Sequence, residues 1–547
     1  KDSTMTTSGG NLEGRGRTIN NTGTDDNFGV YVTGSTISTS AGTQVLIGNY
    51  GRDTGTAGYV SGIEVNDSTL QATSGSISLS GELQSSGNID TGNALRIGTL
   101  GGSDDSATGN VTISTTSGDI TLTGTQGAGT VDVSANGVSV FGRAGDDVSI
   151  TTSSGGDISI TGSGTSQSIR GSTTGVQLSG DSSASSTVSV QSSGSLTVTG
   201  TGAGSKGSAH GVLIKEATAR STGSSDLTVT GTAGTGGGTG NDGIRLDDTA
   251  MSSASGSLTL NGAAGVGGDS EGIVTDGTST VGNASQTGSI VFDSDGDMLL
   301  RTMTVDGSTA TFRSDDIFGD GTMTATGTAV AFESRSASFH SAFTYPISGL
   351  TVSGAAGLVL GKTGNASGIT IGSPTTIAGP ITIYSGSMSL NAALTSTGSD
   401  IILNSDGTVT QSAAITASGL ALNGSGTFTL QNAGNDVDTL AGGSGITPLG
   451  ELSFRDADGV TIGEVNPSGI ASDGAVAITA ASIVVDENIT TSGDNITLEA
   501  TEGITQDAGT TVSSSGGDIT YDVTEGTSFR AVAINGDIDA TNSVDGG

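Results

Sequence analysis

A six-residue pattern repeats along the chain as Ser195-Leu196-Thr197-Val198-Thr199-Gly200 and again as Asp226-Leu227-Thr228-Val229-Thr230-Gly231. Aliphatic and hydroxyl side chains alternate within it. Because successive side chains of a β-strand point to opposite faces, the pattern predicts a strand with Val, Ile and Leu inside and Ser, Thr and Asp facing water. The same unit occurs at Ser76-Ile77-Ser78-Leu79, Asp119-Ile120-Thr121-Leu122, Asp157-Ile158-Ser159-Ile160 and Ser257-Leu258-Thr259-Leu260.

A second strand pattern, Gly-aliphatic-x-aliphatic, lies between successive copies of the first. Copies of the first pattern follow one another at about 31 to 43 residues, a period typical of solenoids. Helix start signals and a 3.6-residue periodicity are essentially missing. We therefore predict an all-β chain that folds as a right-handed parallel β-helix, or β-solenoid, of degenerate Gly/Ser/Thr-rich repeats. The second pattern occurs at Gly62-Ile63-Glu64-Val65, Gly137-Val138-Ser139-Val140, Gly175-Val176-Gln177-Leu178, Gly211-Val212-Leu213-Ile214 and Gly243-Ile244-Arg245-Leu246.

The composition excludes several classes of function. The 547 residues include 54 acidic and 17 basic side chains, and the net charge of −37 disfavours nucleic acid and anionic lipid as direct ligands. No cysteine is present, so neither a disulfide nor a thiolate metal site stabilises the fold. The sequence has no run of about 18 apolar residues, so we expect no membrane insertion.

Three regions differ in their repeats. Residues 1–292 carry the repeats of about 31 to 43 residues, whereas 293–346 are irregular and hold much of the Phe, although we expect them to remain part of the solenoid. Residues 347–547 form a β-solenoid with a second repeat type. In it, Gly398-Ser399-Asp400-Ile401-Ile402-Leu403 and Gly493-Asp494-Asn495-Ile496-Thr497-Leu498 align without a gap at an offset of about 95 residues, which predicts a spacing of several coils.

The C-terminal half also carries a family resemblance. Its residues are Asn435-Asp436-Val437-Asp438-Thr439-Leu440, the stretch 452–463 that begins Leu452-Ser453-Phe454, and Ile504-Thr505-Gln506-Asp507-Ala508-Gly509. Together with the Asp-Ile-Thr-Leu units, they resemble the filamentous-haemagglutinin-like giant exoproteins of bacteria, which use two-partner or autotransporter secretion. The resemblance is sharpest over 356–523. It implies a secreted adhesin whose passenger is a β-solenoid, located outside the cell or on the cell surface.

Catalytic residues are not predicted. A nucleophilic triad needs a His that a carboxylate orients, and the only histidines, His210 and His340, have no nucleophile motif nearby. Polysaccharide-active β-helix enzymes are the main catalytic alternative, and their hydrolases use paired carboxylates on adjacent coils. The basic clusters and aromatic platforms that such enzymes need are missing here, so we predict that the chain is not an enzyme.

One metal site can be considered. Gly237-Gly238-Thr239-Gly240-Asn241-Asp242-Gly243-Ile244-Arg245 matches once the nonapeptide G-G-x-G-x-D-x-U-x of calcium-binding rolls, so Asp242 is the candidate metal ligand. Calcium rolls share each ion between consecutive turns and therefore need tandem copies. We expect no required cofactor and at most weak Ca²⁺ binding.

The hypothesis that follows is a non-catalytic fibre segment, the shaft or stalk of a giant bacterial exoprotein. The alternative is a self-assembling extracellular filament or surface-layer protein, and a polysaccharide-active enzyme is the weakest reading. Expected partners are further coils of a longer, processed polypeptide, other copies of the chain, and surface glycans on host or neighbouring cells. Nucleic acid is not among them.

Overall fold

The computed structural model describes residues 3–18, 27–51, 57–84, 89–98, 109–127, 134–143, 145–164, 173–181, 186–204, 208–524 and 531–541. These residues form strands, turns and bends, with no helix among them. The chain divides into two compact units, Lys1–Thr324 and Ala325–Gly547. The division falls within 293–346, the segment that the sequence marks as irregular.

The first unit is a succession of short strands. In chain order they are β1 Thr4–Thr7, β2 Leu12–Thr18, β3 Asn27–Thr33, β4 Thr36–Thr39, β5 Gln44–Tyr50, β6 Ala57–Asn66, β7 Thr69–Ala72, β8 Ile77–Leu83, β9 Ile89–Gly98, β10 Val111–Thr115, β11 Ile120–Gln126, β12 Ser134–Phe141, β13 Val148–Thr152, β14 Ile158–Ser163, β15 Val176–Ser179, β16 Val188–Ser192, β17 Leu196–Thr201, β18 Val212–Lys215, β19 Ala217–Ser221, β20 Leu227–Thr232, β21 Ile244–Asp247, β22 Ala250–Ser253, β23 Leu258–Ala263, β24 Ile273–Asp276, β25 Ser279–Gly282, β26 Ile290–Asp295, β27 Met298–Leu300, β28 Met303–Asp306, β29 Thr309–Arg313, β30 Ile317–Gly319 and β31 Gly321–Thr324.

Every third strand of this unit joins the same parallel sheet, so that three strands make one coil. We call the sheet of β1, β4 and so on to β31 wall A, the sheet of β2, β5 and so on to β29 wall B, and the ten-stranded sheet of β3 to β30 wall C. The pairings are parallel throughout, which confirms the predicted parallel β-solenoid. Coil length falls from 43 residues between Ile77 and Ile120 to 20 between Met303 and Met323.

The two strand patterns of the sequence occupy two different walls. The first pattern forms wall B and the second forms wall C. Val198, Val229 and Leu260 lie in register on wall B and are fully buried, as the alternation predicts. Burying one such side chain stabilises the fold by about 1.5–3 kcal/mol relative to leaving it exposed. The first pattern's wall B stack includes Ile77, Ile120, Ile158, Leu196, Leu227 and Leu258.

The glycine that ends the first pattern marks a close approach between walls B and C. A Cβ placed on Gly200 would lie 2.0 Å from the carbonyl oxygen of Gly211, and one on Gly231 would lie 2.0 Å from that of Gly243. No side chain fits at that distance. The terminal Gly of each six-residue pattern is therefore required at this corner, and it allows a tight turn of the coil.

The Ser or Asp that begins the pattern ties coils together at the corner between walls A and B. The Asp157 carboxylate accepts a hydrogen bond from the Ser195 N–H of the next coil at 2.7 Å, and Asp226 accepts one from Ser257 N–H at 2.8 Å. Each such bond satisfies a backbone donor that the turn would otherwise leave to water.

The second unit consists of shorter coils. Its strands are β32 Ala329–Glu333, β33 Phe343–Tyr345, β34 Leu350–Ser353, β35 Gly357–Leu360, β36 Ile369–Ile371, β37 Thr375–Ile377, β38 Ile381–Ser385, β39 Met388–Leu390, β40 Leu394–Ser396, β41 Asp400–Ser405, β42 Thr408–Gln411, β43 Ile415–Asn423, β44 Thr427–Leu430, β45 Asp436–Gly442, β46 Glu451–Arg455, β47 Gly459–Ile462, β48 Ile470–Ser472, β49 Val476–Val485, β50 Ile489–Thr491, β51 Ile496–Gln506, β52 Thr511–Ser513, β53 Ile519–Val523, β54 Ala531–Ile534 and β55 Asp537–Asp539.

The 95-residue offset does not connect equivalent positions of these coils. Ile401 pairs with Ile381 and Leu420, whereas Ile496 belongs to a separate stack. Coils here span 19 residues from Val409 to Phe428 and 24 residues from Leu452 to Val476. Positions 95 residues apart therefore lie on different walls. The alignment arises because every wall uses the same alternation of aliphatic and polar residues. The stack that contains Ile496 runs through Phe343, Ile369, Met388, Val409, Phe428, Leu452, Val476, Ile496 and Ile519.

Candidate functional site

The outer face of wall B is a regular lattice of hydroxyl groups. Outward side chains of neighbouring coils lie about 4.8 Å apart across the strands, and those of one strand lie about 6.7 Å apart along it. Threonine suits this face because its branched side chain packs well on a pleated surface and its hydroxyl remains available to water. Two columns in register contain Thr121, Ser159, Thr197, Thr228 and Thr259, and Thr123, Thr161, Thr199 and Thr230. The second unit has a similar column of Thr344, Thr370, Ser389, Thr410, Thr429 and Ser453.

The outer face of wall C is different, because its outward column changes character along the stack. Glu64 and Arg96 pair at 3.3 Å, and both are buried. Further along, the column becomes apolar. There, Arg245 is followed in register by Val274, Leu299 and Phe318.

A groove of about 400 Å³ lies on this part of wall C. Its volume falls within the range of small-ligand sites. Val274 is 2% exposed and Phe318 is 50% exposed, so the apolar column runs from beneath the groove to an exposed aromatic ring. The groove is lined by Ser208, Thr239, Gly240, Arg245, Asp269, Glu271, Val274, Leu299 and Arg301.

Asn241 holds the glycine-rich loop at the edge of this groove. Its side-chain amide donates to the carbonyl oxygens of Gly236 at 2.9 Å and Val266 at 3.0 Å, and its Oδ1 accepts the Ala209 N–H at 2.9 Å. Asn241 is completely buried. Asn241 therefore connects the loops of three successive coils. This structural role explains why a polar residue precedes Asp242 in the calcium-roll-like nonapeptide.

Asp242, the predicted metal ligand, lies completely buried beneath the groove. Its Oδ2 is 3.3 Å from His210 Nδ1 and accepts a hydrogen bond from Arg245 Nη1 at 3.2 Å, while its Oδ1 accepts the Glu271 N–H at 3.3 Å. Burial by itself would raise the pKa of Asp242, but the hydrogen bond and charge of His210, followed by the hydrogen bonds from Glu271, hold that pKa below its usual value.

Glu271 carries the opposite shift. Burial and then the hydrogen bond to the Asp242 carboxylate raise the pKa of Glu271 to about 7, with further contributions from the charges of Asp242, Asp269 and Asp297. Near neutral pH the half-buried Glu271 carboxyl is therefore close to half protonated, and in that form it hydrogen-bonds to Asp242. The two carboxyl groups belong to adjacent coils, and their environments separate their pKa values.

Two arginines complete the cluster by sharing a third carboxylate. Arg245 and Arg301 both form ion pairs with Asp276, one to each carboxylate oxygen. Arg245 also bonds to Asp242, so the ion pairs connect three successive coils. Such a buried or half-buried network fixes geometry more than it adds stability, because desolvation offsets much of the attraction.

The second histidine that the sequence offers, His340, belongs to the second unit. His340 is exposed in the connection between β32 and β33. Within the described ranges, no group of three or more His, Cys, Asp or Glu side chains is placed to hold a metal ion. The oxygens of Asp242 instead face an arginine, an imidazole and a backbone N–H, and calcium binding there stays a prediction.

The sequence pointed to Asp242 as a candidate metal ligand but gave no site role to His210, which was considered only as a catalytic residue, or to Glu271, Arg245 and Arg301. Glu271 and Asp242 are 29 residues apart, and Arg301 is 25 residues beyond Asp276. These separations equal single coils of changing length, so only the register brings the residues together. A signal was present in the apolar residues Val274, Leu299 and Phe318, which stand in register at outward positions of wall C, whereas the outward column of wall B carries hydroxyl groups from Thr121 to Thr259.

Comparison with known proteins adds no relative: no protein-family model, curated protein or solved structure matches this chain. Among the described residues, no helix is long and apolar enough to cross a membrane.

Proposed function

We propose that the chain is a non-catalytic segment of an extracellular or cell-surface fibre, the shaft or stalk of a bacterial adhesin. The observation that supports the proposal is the hydroxyl lattice of wall B, where each coil presents the same uncharged polar groups in register with the last. A stack of this kind extends by adding coils without enlarging its core. It provides reach together with many equivalent contact points.

The mechanism would be multivalent contact. A single coil offers a few hydroxyl groups and binds weakly, but repeated coils raise the effective concentration of contacts along an extended ligand. Polysaccharide chains on a host or neighbouring cell surface fit this geometry, because they too repeat hydroxyl groups along their length. In this proposal the chain is exported and acts outside the cell or on the cell surface.

Binding of the full chain to an immobilised array of cell-surface glycans tests the function. Replacing Thr197, Thr199, Thr228 and Thr230 by Val keeps the branched shape and removes the hydroxyl groups, so binding should fall in steps with the number of coils altered. The matched Thr→Ser variants keep the hydroxyl groups and should bind as the unaltered chain does. Equal binding by the Val variants, or no binding by the unaltered chain, would contradict the proposal.

A self-assembling filament is the second candidate, and one observation favours it. The inward positions of the coil formed by β53 to β55 are exposed, with Val532, Ile534 and Ile538 at 42%, 44% and 44%. The side chains that this coil covers are buried, as Val512 is under Ile538 and Ile504 under Val532. A coil of another copy that pairs with this one would bury them. Electron microscopy distinguishes the two candidates, since filaments support self-assembly and single particles support the stalk.

An enzymatic role has a direct test as well. Incubation of the chain with plant and bacterial polysaccharides should release no reducing ends or unsaturated uronates. Release of either that Glu271→Gln abolishes would replace the stalk proposal by a polysaccharide-active enzyme.

A further inference from the structure

A second groove, of about 490 Å³, lies on the outer face of wall A between β19 and β28. Its volume is within the range of small-ligand sites. Arg220 and Asp306 both line it, and they belong to one outward column. In that column Arg220 pairs with Ser252, and Gly282 of the next coil pairs with Asp306. The groove therefore has a cation at one end and an anion at the other, three coils or about 14 Å apart at the backbone.

Gly282 leaves a gap in this column. Its φ is +95°, and a Cβ there would lie 2.0 Å from the carbonyl oxygen of Asp306, so a side chain does not fit. Asn283 is fixed beside the gap, because its Nδ2 donates to the Ser253 carbonyl oxygen at 2.8 Å and its Oδ1 accepts the Ser285 N–H at 2.9 Å. The backbone and these hydrogen bonds therefore form the concavity without help from a ligand.

Arg220 is exposed, and its guanidinium has no carboxylate partner within the part of the chain that the structure describes. Arg245, Arg301 and Arg313 of the same unit each form an ion pair with an aspartate. The chain has 54 acidic and 17 basic side chains, so a guanidinium that no carboxylate occupies stands out. A planar guanidinium binds a carboxylate through two parallel N–H···O bonds, and Arg220 is available for that contact.

Hydroxyl groups lie between the two charges. Ser252, Thr280 and Ser285 line the groove, and each hydroxyl can donate or accept a hydrogen bond. The Asp306 carboxylate only accepts, so it suits a hydroxyl donor on the ligand. At about 0.15 M salt the screening length is about 8 Å, so Asp306 repels an anion bound at Arg220 only weakly.

We propose that this groove binds a sugar that carries a carboxylate, with the carboxylate on Arg220 and the sugar hydroxyls along Ser252 towards Asp306. Such a sugar combines one anionic group with several hydroxyl groups, which is the complement of this lining. Uronates of plant or bacterial polysaccharides and sialic acids of animal glycans share this chemistry. The inference rests on the proposed function for the class of ligand, a glycan, but it concerns one discrete site on wall A.

Calorimetric titration of the full chain at about 0.15 M salt tests the inference. The probes are trigalacturonate and its methyl ester, sialyllactose and lactose, and the peptide acetyl-Gly-Glu-Gly-amide. An acid sugar should bind about tenfold or more tightly than its neutral counterpart, because only the acid forms charge-assisted hydrogen bonds with Arg220. Tighter binding of trigalacturonate assigns a uronate polysaccharide, and tighter binding of sialyllactose assigns an animal glycan.

Three outcomes of this titration would overturn the inference. They are no binding of either acid sugar, equal binding of the acid and neutral sugars, and binding of the glutamate peptide as tight as that of the acid sugars. The last outcome would make the ligand an acidic peptide.

Two variants and a control locate the contact. Arg220→Gln should lower the affinity for the acid sugar to that of its neutral counterpart. Ser252→Leu keeps the charge of Arg220 but fills the groove beside it, and it should abolish binding. Arg455→Gln removes the same charge from an exposed position of the second unit and should change nothing. Far-ultraviolet circular dichroism confirms that each variant is folded, and a folded Arg220→Gln with unchanged affinity for the acid sugar would place the ligand elsewhere and overturn the inference.

Failure of this inference and failure of the stalk proposal give different results. Neutral glycans on the immobilised array report on the wall B hydroxyl lattice, whereas the difference between an acid sugar and its neutral counterpart reports on Arg220. Array binding without an acid preference would leave the stalk proposal and remove this site. An acid preference that Arg220→Gln abolishes, without binding to neutral glycans, would keep this site and remove the lattice as a contact surface.

Discussion

Adjacent residues of one strand have opposite environments in this fold. Val229 is fully buried in the wall B stack, and Thr228 beside it faces outward. Val229→Asp should therefore lower the free energy of unfolding by several kcal/mol, since it buries an unpaired charge. Thr228→Asp should change it by about 0.5 kcal/mol or less. Urea denaturation of the pair measures this difference, and equal effects would show that the register is wrong.

The buried carboxyl of Asp456 should make the free energy of unfolding depend on pH. Asp456 is 3% exposed, and burial raises its pKa to about 7 although the N–H groups of Val437 and Asp458 lower it. Because the pKa of Asp456 is higher in the folded state than in the unfolded state, protonation of Asp456 stabilises the fold. This contribution to the free energy of unfolding is complete below about pH 4 and is lost as pH rises through about 7. The chain should be more stable near pH 5 than near pH 8.

Asp456→Asn should remove that part of the pH dependence, by an amount on the order of 1–2 kcal/mol after allowance for solvent screening. It should also cost about 1 kcal/mol at low pH, because the amide replaces one of two acceptors. Denaturation at both pH values, with exposed Glu451→Gln as the control for net charge, is the measurement. A variant with the same pH slope as the unaltered chain would contradict the role of Asp456.

At the scale of the element, the corner between walls B and C sets the coil geometry. Gly200→Ala places a methyl group 2.0 Å from the Gly211 carbonyl oxygen, so the strand must shift and stability should fall by about 1–3 kcal/mol. Gly237 lies in a loop with no atom within 4 Å of an added Cβ, and Gly237→Ala should be close to neutral. Thermal unfolding compares them, and a neutral Gly200→Ala would mean that the corner is looser than the backbone distances indicate.

At the scale of the whole molecule, the question is whether a metal holds the coils together. Hydrophobic columns and backbone ladders already run through each unit, so Ca²⁺ should raise the melting temperature by a few degrees at most. A chelator should leave the far-ultraviolet strand signal unchanged. Collapse of that signal on chelation would make Asp242 part of a true structural metal site, because a fold that depends on its metal unfolds without it.

The sequence alone determined the class of fold and its core. Alternation of aliphatic and polar residues is a local property with a period of two, so Val198, Val229 and Leu260 could be assigned to one buried stack before any coordinates. The terminal Gly of the pattern could be located in the same way. Only the structure shows why a glycine is needed there, namely the Gly211 carbonyl oxygen that lies close to Gly200 at the corner.

The tertiary structure alone decided which residues meet across coils. Coil length varies from 43 to 20 residues in the first unit, so the spacing between partners is not constant along the chain. That variation placed Ile401 and Ile496 on different walls although their surroundings align in sequence. It also brought Glu271, Arg245 and Arg301 into one groove, because charges on an outer face leave no periodic signature that fixes their neighbours. Burial restricts inward residues to a repeating pattern, and solvent places no such restriction on the residues that form the site.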